Sequence, residues 1–331
     1  LLNMREGENV DDAPEWASSG YVIMARLIGA KPLSISRAEY EELVHRADDL
    51  YAIMEIEESY GVLISNYLSL EKSHTDTLVG FMVSAPQARV DYEWRRREAD
   101  RHLVNLLASA EMYSEHLKRA LKQRQRAAKA RVRSLLDSVI SAVESTTDEQ
   151  RKKFLGFRAL KAMRNHVLHT SLPIEGWRHG NSWVPHEGQE VMRSTFAVRL
   201  RPANVGEKKR RDMNIVEELM ARANGNGYVE WLPLVREYVE GVSYVHGAFR
   251  DSIVQLEFDC LSRIDMATRE YRAGKTMDGE SHDMLSLGKI GPSGILTDER
   301  AINFDYQEQI RDLRRVNQAP IFNLHLRQIL V

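Results

Sequence analysis

The stretch Ala162-Met163-Arg164-Asn165-His166-Val167-Leu168-His169-Thr170 decides how the chain is read. It gathers an arginine, a carboxamide and two histidines within two helical turns. Pro173 follows four residues after His169, so the sequence predicts a helix that ends here. Upstream, Asp148 to His169 carries Phe154, Phe157, Leu160, Met163 and Val167 at the three-and-four spacing of a helix with one buried side. Thr147 and Gln150 form a capping box after a Ser/Thr-rich turn. At ~1.5 Å per residue the predicted helix is about 33 Å long.

Working outward, residues 87–133 predict a second long helix, its apolar stripe running Leu103, Leu107, Ala110, Tyr113 or Ser114, Leu117 and Leu121. The connection between the two helices is short, so they are expected to pack as an antiparallel hairpin. That places Trp94-Arg95-Arg96-Arg97-Glu98-Ala99-Asp100-Arg101-His102 beside Arg164 to His169, with Asp100 and Arg101 as the first expected neighbours. Nearer the N-terminus, residues 20–28 read as a buried strand closed by Gly29 and Pro32. Ser36 and Glu39 cap a long amphipathic helix that carries Tyr40, Leu43, Val44, Ala47, Leu50, Tyr51 and Met54, then Leu63, Ile64, Tyr67 and Leu68. Gly61 is a candidate break in it.

Beyond the motif, Gly180-Asn181 is a turn signal, and Phe196, Val198 and Leu200 alternate with Thr195, Ala197 and Arg199. This predicts one arm of a β-hairpin. Helices are expected over 214–223 and again from Pro233, where Val235, Tyr238, Val242, Val245, Phe249, Ile253, Leu256 and Cys260 keep helical spacing. The last sixty residues are glycine-rich, with a short helix near Gln307 to Val316 as their one periodic segment. The resulting organisation is an N-terminal strand and extension (1–35), a helical domain (36–272) with a β insertion at about 174–203, and an irregular extension (273–331) expected to wrap the core or a partner.

Composition narrows the classes. The 331 residues are 43% apolar and 28% charged, with a formal net charge of −2, which fits a soluble globular protein. No run approaches the ~18 apolar residues of a membrane span, and Leu1 to Asp12 has no basic region followed by an apolar core, so a cytoplasmic location without a signal peptide is expected. One cysteine, Cys260, excludes an internal disulfide and a cysteine-based zinc site. A nucleic-acid surface would have to come from local clusters. Between His116 and Leu136 there are eight Lys or Arg residues and no acid, and Lys208-Lys209-Arg210-Arg211 with Arg193, Arg199 and Arg201 form a second basic group.

The motif suits a particular chemistry. Histidine exchanges protons near neutral pH, and a fixed guanidinium neutralises charge growing on phosphate oxygens. Together they suit metal-independent RNA cleavage in which the 2′-hydroxyl attacks the adjacent phosphate. Arg164 and His169 lie about 140° apart around a helix at ~100° per residue. Two copies facing across a symmetric interface bring an arginine and a histidine to either side of one substrate, so a homodimer is expected.

Arg164-Asn165, three residues, then His169 at a helix end, preceded by a helix of the type Asp100-Arg101-His102-Leu103-Val104-Asn105-Leu106-Leu107-Ala108-Ser109-Ala110, resembles the HEPN superfamily. The resemblance covers roughly residues 40–170 and, more loosely, the later helices. It implies a mainly α fold, a HEPN-like helical bundle with long antiparallel helices and here a small β-hairpin insertion after the motif helix. It also implies an endoribonuclease that needs no metal or cofactor, is built as a dimer, and serves in toxin-type or antiviral defence with an antitoxin or other defence partner. Arg164 and His169 would be the catalytic pair and Asn165 their polar companion, with His166, Asp100 and Arg101 assisting. Arg95, Arg96, Arg97, Arg199, Arg201, Lys208 and Lys209 are the RNA-binding candidates.

Three alternatives stand beside this. Arg164, His166 and His169 can simply complement the negative end of a helix dipole. A noncatalytic HEPN-type module would bind RNA or protein within a defence complex. Glu42 with His45 and Glu71 with His74 are Glu-x-x-His pairs of the kind that build di-metal sites in helical bundles.

Overall fold

The computed structural model describes residues 20–25, 32–83, 89–128, 130–169, 174–200, 202, 210–273, 284–290, 296–303, 305–317 and 321–327. In chain order the elements are β1 (Tyr21–Ala25), β2 (Leu33–Ser34), α1 (Arg37–Val83), α2 (Arg89–Ala127), α3 (Ala130–Lys153) and α4 (Leu155–His169). They continue with β3 (Ile174–His186), β4 (Gln189–Leu200), α5 (Arg210–Arg222), β5 (Val229–Glu230), α6 (Trp231–Ala273), β6 (Met284–Ile290), β7 (Leu296–Asn303) and α7 (Tyr306–Val316), and a 3-10 turn covers Leu324–Leu326. The protein is mainly α, with two small antiparallel sheets. Among the described residues no helix is long and apolar enough to cross a membrane.

The chain divides into two units: Leu1–Glu55 with Val254–Asp312, and Ile56–Ile253 with Leu313–Val331. In the first, β1 and β6 are the two inner strands of a sheet ordered β2-β1-β6-β7. Val22, Ile23 and Ala25 of β1 and Leu285 and Leu287 of β6 are buried. The glycine-rich C-terminal segment therefore holds two paired strands where the sequence predicts irregular chain. Their short alternation carries too few residues to be read without the partner strand. The predicted box at the start of α1 is present: Glu39 N–H donates to Ser36 Oγ at 3.2 Å, and Ser36 N–H to Glu39 Oε2 at 2.9 Å. Cys260 is buried beside Asp49, and burial pushes its thiol up to about 12, so it is an inert core residue.

The second unit holds the motif. Leu103, Leu107, Ala110, Tyr113, Leu117 and Leu121 of α2 are buried, as are Phe157, Leu160 and Met163 of α4 and Val235, Val242 and Phe249 of α6. Tyr113, rather than Ser114, occupies the stripe. Gly61 does not break α1; its missing side chain makes room for Asn317, whose amide would collide with a Cβ there.

The predicted helix 148–169 is differently bounded. Helix α2 ends at Ala127, and α3 and α4 follow from Ala130 with one interruption at Phe154. Thr147 lies inside α3, where its hydroxyl donates to the Val143 carbonyl at 2.7 Å instead of capping a new helix. Gly156 explains the interruption: a Cβ there would fall on the Leu234 carbonyl of α6. At this helix start the Gly156 N–H donates to Glu237 Oε2 at 2.6 Å, a carboxylate on the positive end of α4. The β3–β4 hairpin turns at Glu187-Gly188, not at Gly180-Asn181, which pair in mid-strand with Thr195 and Ser194. Both turn residues have positive φ, 48° and 80°, as a two-residue type I′ turn requires.

Candidate functional site

The motif occupies the last turn and a half of α4. Helix α2 runs antiparallel to it. Glu111 of α2 meets Arg164, Oε1 to Nη1 at 3.8 Å, and eleven residues earlier Asp100 accepts the N–H of Ile174 at 3.2 Å. Stepping back along α2 thus corresponds to stepping forward past the motif. The N-terminal part of α2 bonds to Ile174, five residues beyond His169, whereas of the expected neighbours Asp100 engages Ile174 and Arg101 engages Glu98, and Arg164 engages Glu111.

Arg164 has a side chain about one third exposed (34%), and its partner Glu111 is half-buried. Tyr238, buried in the core, feels both charges. Burial first, then the Glu111 charge, raises its phenol, and Arg164 acts in the opposite direction. His166 is half-buried. The backbones of Asn165 and His169 are helical, and their side chains lie outside the described part of the structure.

Asp100 is buried, 1% exposed. Burial raises its carboxyl to about 6, against the pull of the Ile174 N–H and of Arg96, whose Nη1 stands 3.3 Å from Oδ2. It is therefore a carboxyl whose charge changes near neutral pH, fastened to the first residue of β3. Arg101 turns to Glu98 on its own helix, Nη2 to Oε2 at 2.6 Å, and His102 stands beside that pair.

The basic candidates separate into distinct environments. Arg96 bridges Glu93 and Asp100 and so is bound within its helix. Arg95 lies over the Phe81 ring at 5.2 Å, Arg97 is exposed, and Arg199 lies over the Tyr228 ring at 5.3 Å. Arg201, Lys208 and Lys209 fall outside the described residues.

Neither Glu-x-x-His pair presents a bare carboxylate. Glu71 takes Arg236 Nε at 2.7 Å and Nη2 at 2.9 Å and also accepts the Tyr67 hydroxyl at 2.6 Å. Glu42 accepts Arg263 Nε at 3.2 Å and lies 3.7 Å from Arg46. Both are matched by guanidinium groups, and among the described residues no three His, Cys, Asp or Glu side chains converge as metal ligands do.

A polar cluster that the sequence reading does not anticipate surrounds Glu57, which is fully buried. It accepts His246 Nε2 at 3.0 Å, Arg250 Nη2 at 2.6 Å and Arg314 Nε at 2.8 Å. His246 stacks on Tyr60 at 3.9 Å, and its Nδ1 meets the Tyr113 hydroxyl at 3.0 Å. These bonds hold the Glu57 carboxyl well below its ordinary range despite burial, while burial lowers His246. The one signal available in the sequence is His246 itself, a polar residue on the inward stripe between Val245 and Phe249.

Fold and site together define a mainly helical protein with a partly exposed arginine on a histidine-bearing helix end and a buried carboxyl of α2 bonded to the first residue of β3. Compared with family models, curated proteins and solved structures, the chain matches none of them.

Proposed function

We propose that the protein is a HEPN-like, metal-independent endoribonuclease that acts as a cytoplasmic homodimer in defence or toxin-type RNA cleavage. The observation that carries this reading is the position of Arg164-Asn165-x3-His169 on the final turns of α4, with the near-neutral carboxyl of Asp100 fastened five residues beyond His169. His169 takes the proton of a ribose 2′-hydroxyl or returns one to the departing 5′-oxygen. The 2′-oxygen bonds to phosphorus as the bond from phosphorus to the 5′-oxygen breaks, leaving a 2′,3′-cyclic phosphate and a 5′-hydroxyl. Arg164 neutralises the charge that builds on the phosphate oxygens, and Asn165 orients the substrate or a partner side chain.

The Arg164–Glu111 pair stands at 3.8 Å and is partly exposed, and a pair of this kind contributes at most about 1 kcal/mol. Because Arg164 and His169 diverge by about 140° around the helix, the second protomer supplies the missing side of the site.

The same ion pair favours a second reading, in which Arg164 is engaged for structure and the domain binds RNA or protein without cutting it. Incubating the purified chain with total RNA in chelator separates the two. Cleavage that disappears in His169→Ala and Arg164→Ala supports the nuclease. Absence of cleavage, with RNA binding retained after Arg164→Ala, supports the binding module. Cleavage that is undiminished in His169→Ala removes the motif from the chemistry.

A further inference from the structure

We propose that the C-terminal half of α2, at its junction with α3, is a basic surface that holds the phosphate backbone of an RNA strand away from the motif, with Arg119, Lys122 and Arg126 as its contacts. Between His116 and Leu136 the chain carries eight Lys or Arg residues and no acid, in a molecule whose formal net charge is −2. The excess is therefore local. Lys118, Arg119, Lys122 and Arg126 are all exposed, and at ~100° per residue they fall within about 100° of one another around α2. They form one stripe. Along it Lys118, Lys122 and Arg126 follow at about 6 Å intervals, close to the spacing of successive phosphates in an extended strand.

The two halves of α2 treat their cations differently. In the N-terminal half Arg96 is matched by Glu93 and Asp100, and Arg101 by Glu98, all on the same helix. In the C-terminal half Lys118 pairs with Glu115 at 3.2 Å, and among the described residues Arg119, Lys122 and Arg126 have no carboxylate partner. Glu115 is itself outnumbered, because the charges of Lys161 on α4 and of Arg119 also act on it. Like charges four residues apart on a helix repel, a cost that a bound polyanion removes.

The helix dipole does not account for the stripe. Its effect is confined to the last turn, which contains Arg124 and Arg126, whereas Lys118, Arg119 and Lys122 lie further back. The first turn of α3, a positive helix end, holds no acid. Instead Arg133 stands there, its Nε donating to the Gln125 carbonyl at 3.3 Å. Cations thus occupy both helix ends that meet at this junction.

The surroundings select the occupant. Protein interfaces are anchored by apolar and aromatic side chains, and helices lying on a membrane bury an apolar face. Among the described residues no large apolar side chain is exposed between Met112 and Trp183. A phosphodiester backbone needs only the charge. The stripe also shares its side of α2 with Glu111, the partner of Arg164, and Lys122 lies about 17 Å beyond Glu111 at ~1.5 Å per residue. One strand can therefore engage both, and in naming RNA the proposal rests on the function proposed above.

Fluorescence anisotropy of a labelled 2′-O-methyl RNA strand, which cannot be cut by attack of a 2′-hydroxyl, measures binding to the full chain across a salt series. Binding is expected, and Arg119→Gln/Lys122→Gln/Arg126→Gln should weaken it about tenfold or more. The slope of log affinity against log salt should become shallower by about 2, from three contacts at ~0.7 each. The charge-matched control Lys72→Gln/Arg151→Gln/Arg269→Gln removes three cations that have their own carboxylates and should leave both quantities unchanged. Binding lost in the first variant of a protein that cuts no RNA keeps the surface and removes the nuclease. RNA cutting by the unmodified chain, with binding that the first variant weakens no more than the control, overturns the surface and keeps the nuclease. No binding to the strand overturns the surface, as does binding to phosphatidylserine vesicles that the first variant abolishes while its RNA binding is unchanged.

Discussion

Around Glu57 each charge is matched at close range. The carboxylate is fully buried and accepts from three side chains at 2.6–3.0 Å, while His246 below it is stacked and bonded at both ring nitrogens. At the end of α4 the arrangement is looser. Arg164 keeps a third of its side chain in solvent and a carboxylate partner, Glu111, stands 3.8 Å away, and further along α2 Asp100 holds a carboxyl whose charged form burial disfavours. The difference teaches how the two clusters divide their work. A buried ion cluster with all its bonds made fixes α1, α6 and the C-terminal residues to one another and cannot exchange partners without loss of the fold. A guanidinium with a third of its side chain in solvent is reachable from outside, which the proposed phosphate contact requires.

The largest expected effect of breaking this contrast is on chemistry. His169→Ala should lower the RNA cleavage rate by about 10²- to 10⁴-fold, the usual contribution of a positioned acid or base, with the thermal midpoint unchanged. Single-turnover rates and a melting curve on the same preparation check both halves, and a large loss of stability would move His169 to the structural side. Glu57→Ala should do the reverse. Removing it leaves His246, Arg250 and Arg314 without their anion, a loss of about 3–5 kcal/mol, readable as a shift of the urea unfolding midpoint. An unfolding curve that superposes on that of the unmodified chain would deny the cluster its role.

A smaller effect is expected at the interruption between α3 and α4. Gly156→Ala pushes a methyl group onto the Leu234 carbonyl, and overpacking of this kind costs about 1–3 kcal/mol. Chemical denaturation measures it, and a neutral result would mean that the close approach of α4 to α6 does not set the break.

The smallest effects lie in pH dependence, where the two regions have opposite signs. Glu57 is held below its ordinary 4.5, so its contribution to stability is present above that value and fades as pH falls below it. His246, lowered from 6.5 by burial, also loses its contribution as pH falls from there. Asp100 is raised from 3.8 to about 6, so its contribution is complete below 3.8 and is lost as pH rises through 6. Unfolding titrations should show the whole chain weakening toward pH 4, a shallower slope in Glu57→Gln, and a steeper acid loss in Asp100→Asn, which removes the opposing term. If Asp100→Asn leaves the profile unchanged, its carboxyl is not perturbed.

How much of this was legible in the sequence follows from how far apart the participating residues lie. The stripes of α2, α4 and α6 are local patterns, and the residues they nominate are in the core except Val167, which is half-buried at the end of α4. The Ser36–Glu39 box is a three-residue signal and is formed. Thr147 and Gln150 made the same signal, yet α3 continues through it, because no close approach breaks the helix until Gly156 meets α6. That contact joins residues 78 positions apart and has no local mark. The Glu57 cluster is harder still, since it draws on α1, α2, α6 and α7. At the candidate site the approach of α2 could be anticipated from helix pairing, whereas the bond from Asp100 to Ile174 and the pairing of Arg164 with Glu111 depend on the register of two packed helices. The motif residues themselves were visible as a spacing, and the partnerships that decide their charge were not.

The measurement that tests the central claim most directly is the chemistry of the RNA ends produced in chelator by the unmodified protein and by His169→Ala. The account predicts 2′,3′-cyclic phosphate and 5′-hydroxyl ends from the first and none from the second. Products ending in 3′-hydroxyl and 5′-phosphate, or equal cleavage by His169→Ala, would contradict it.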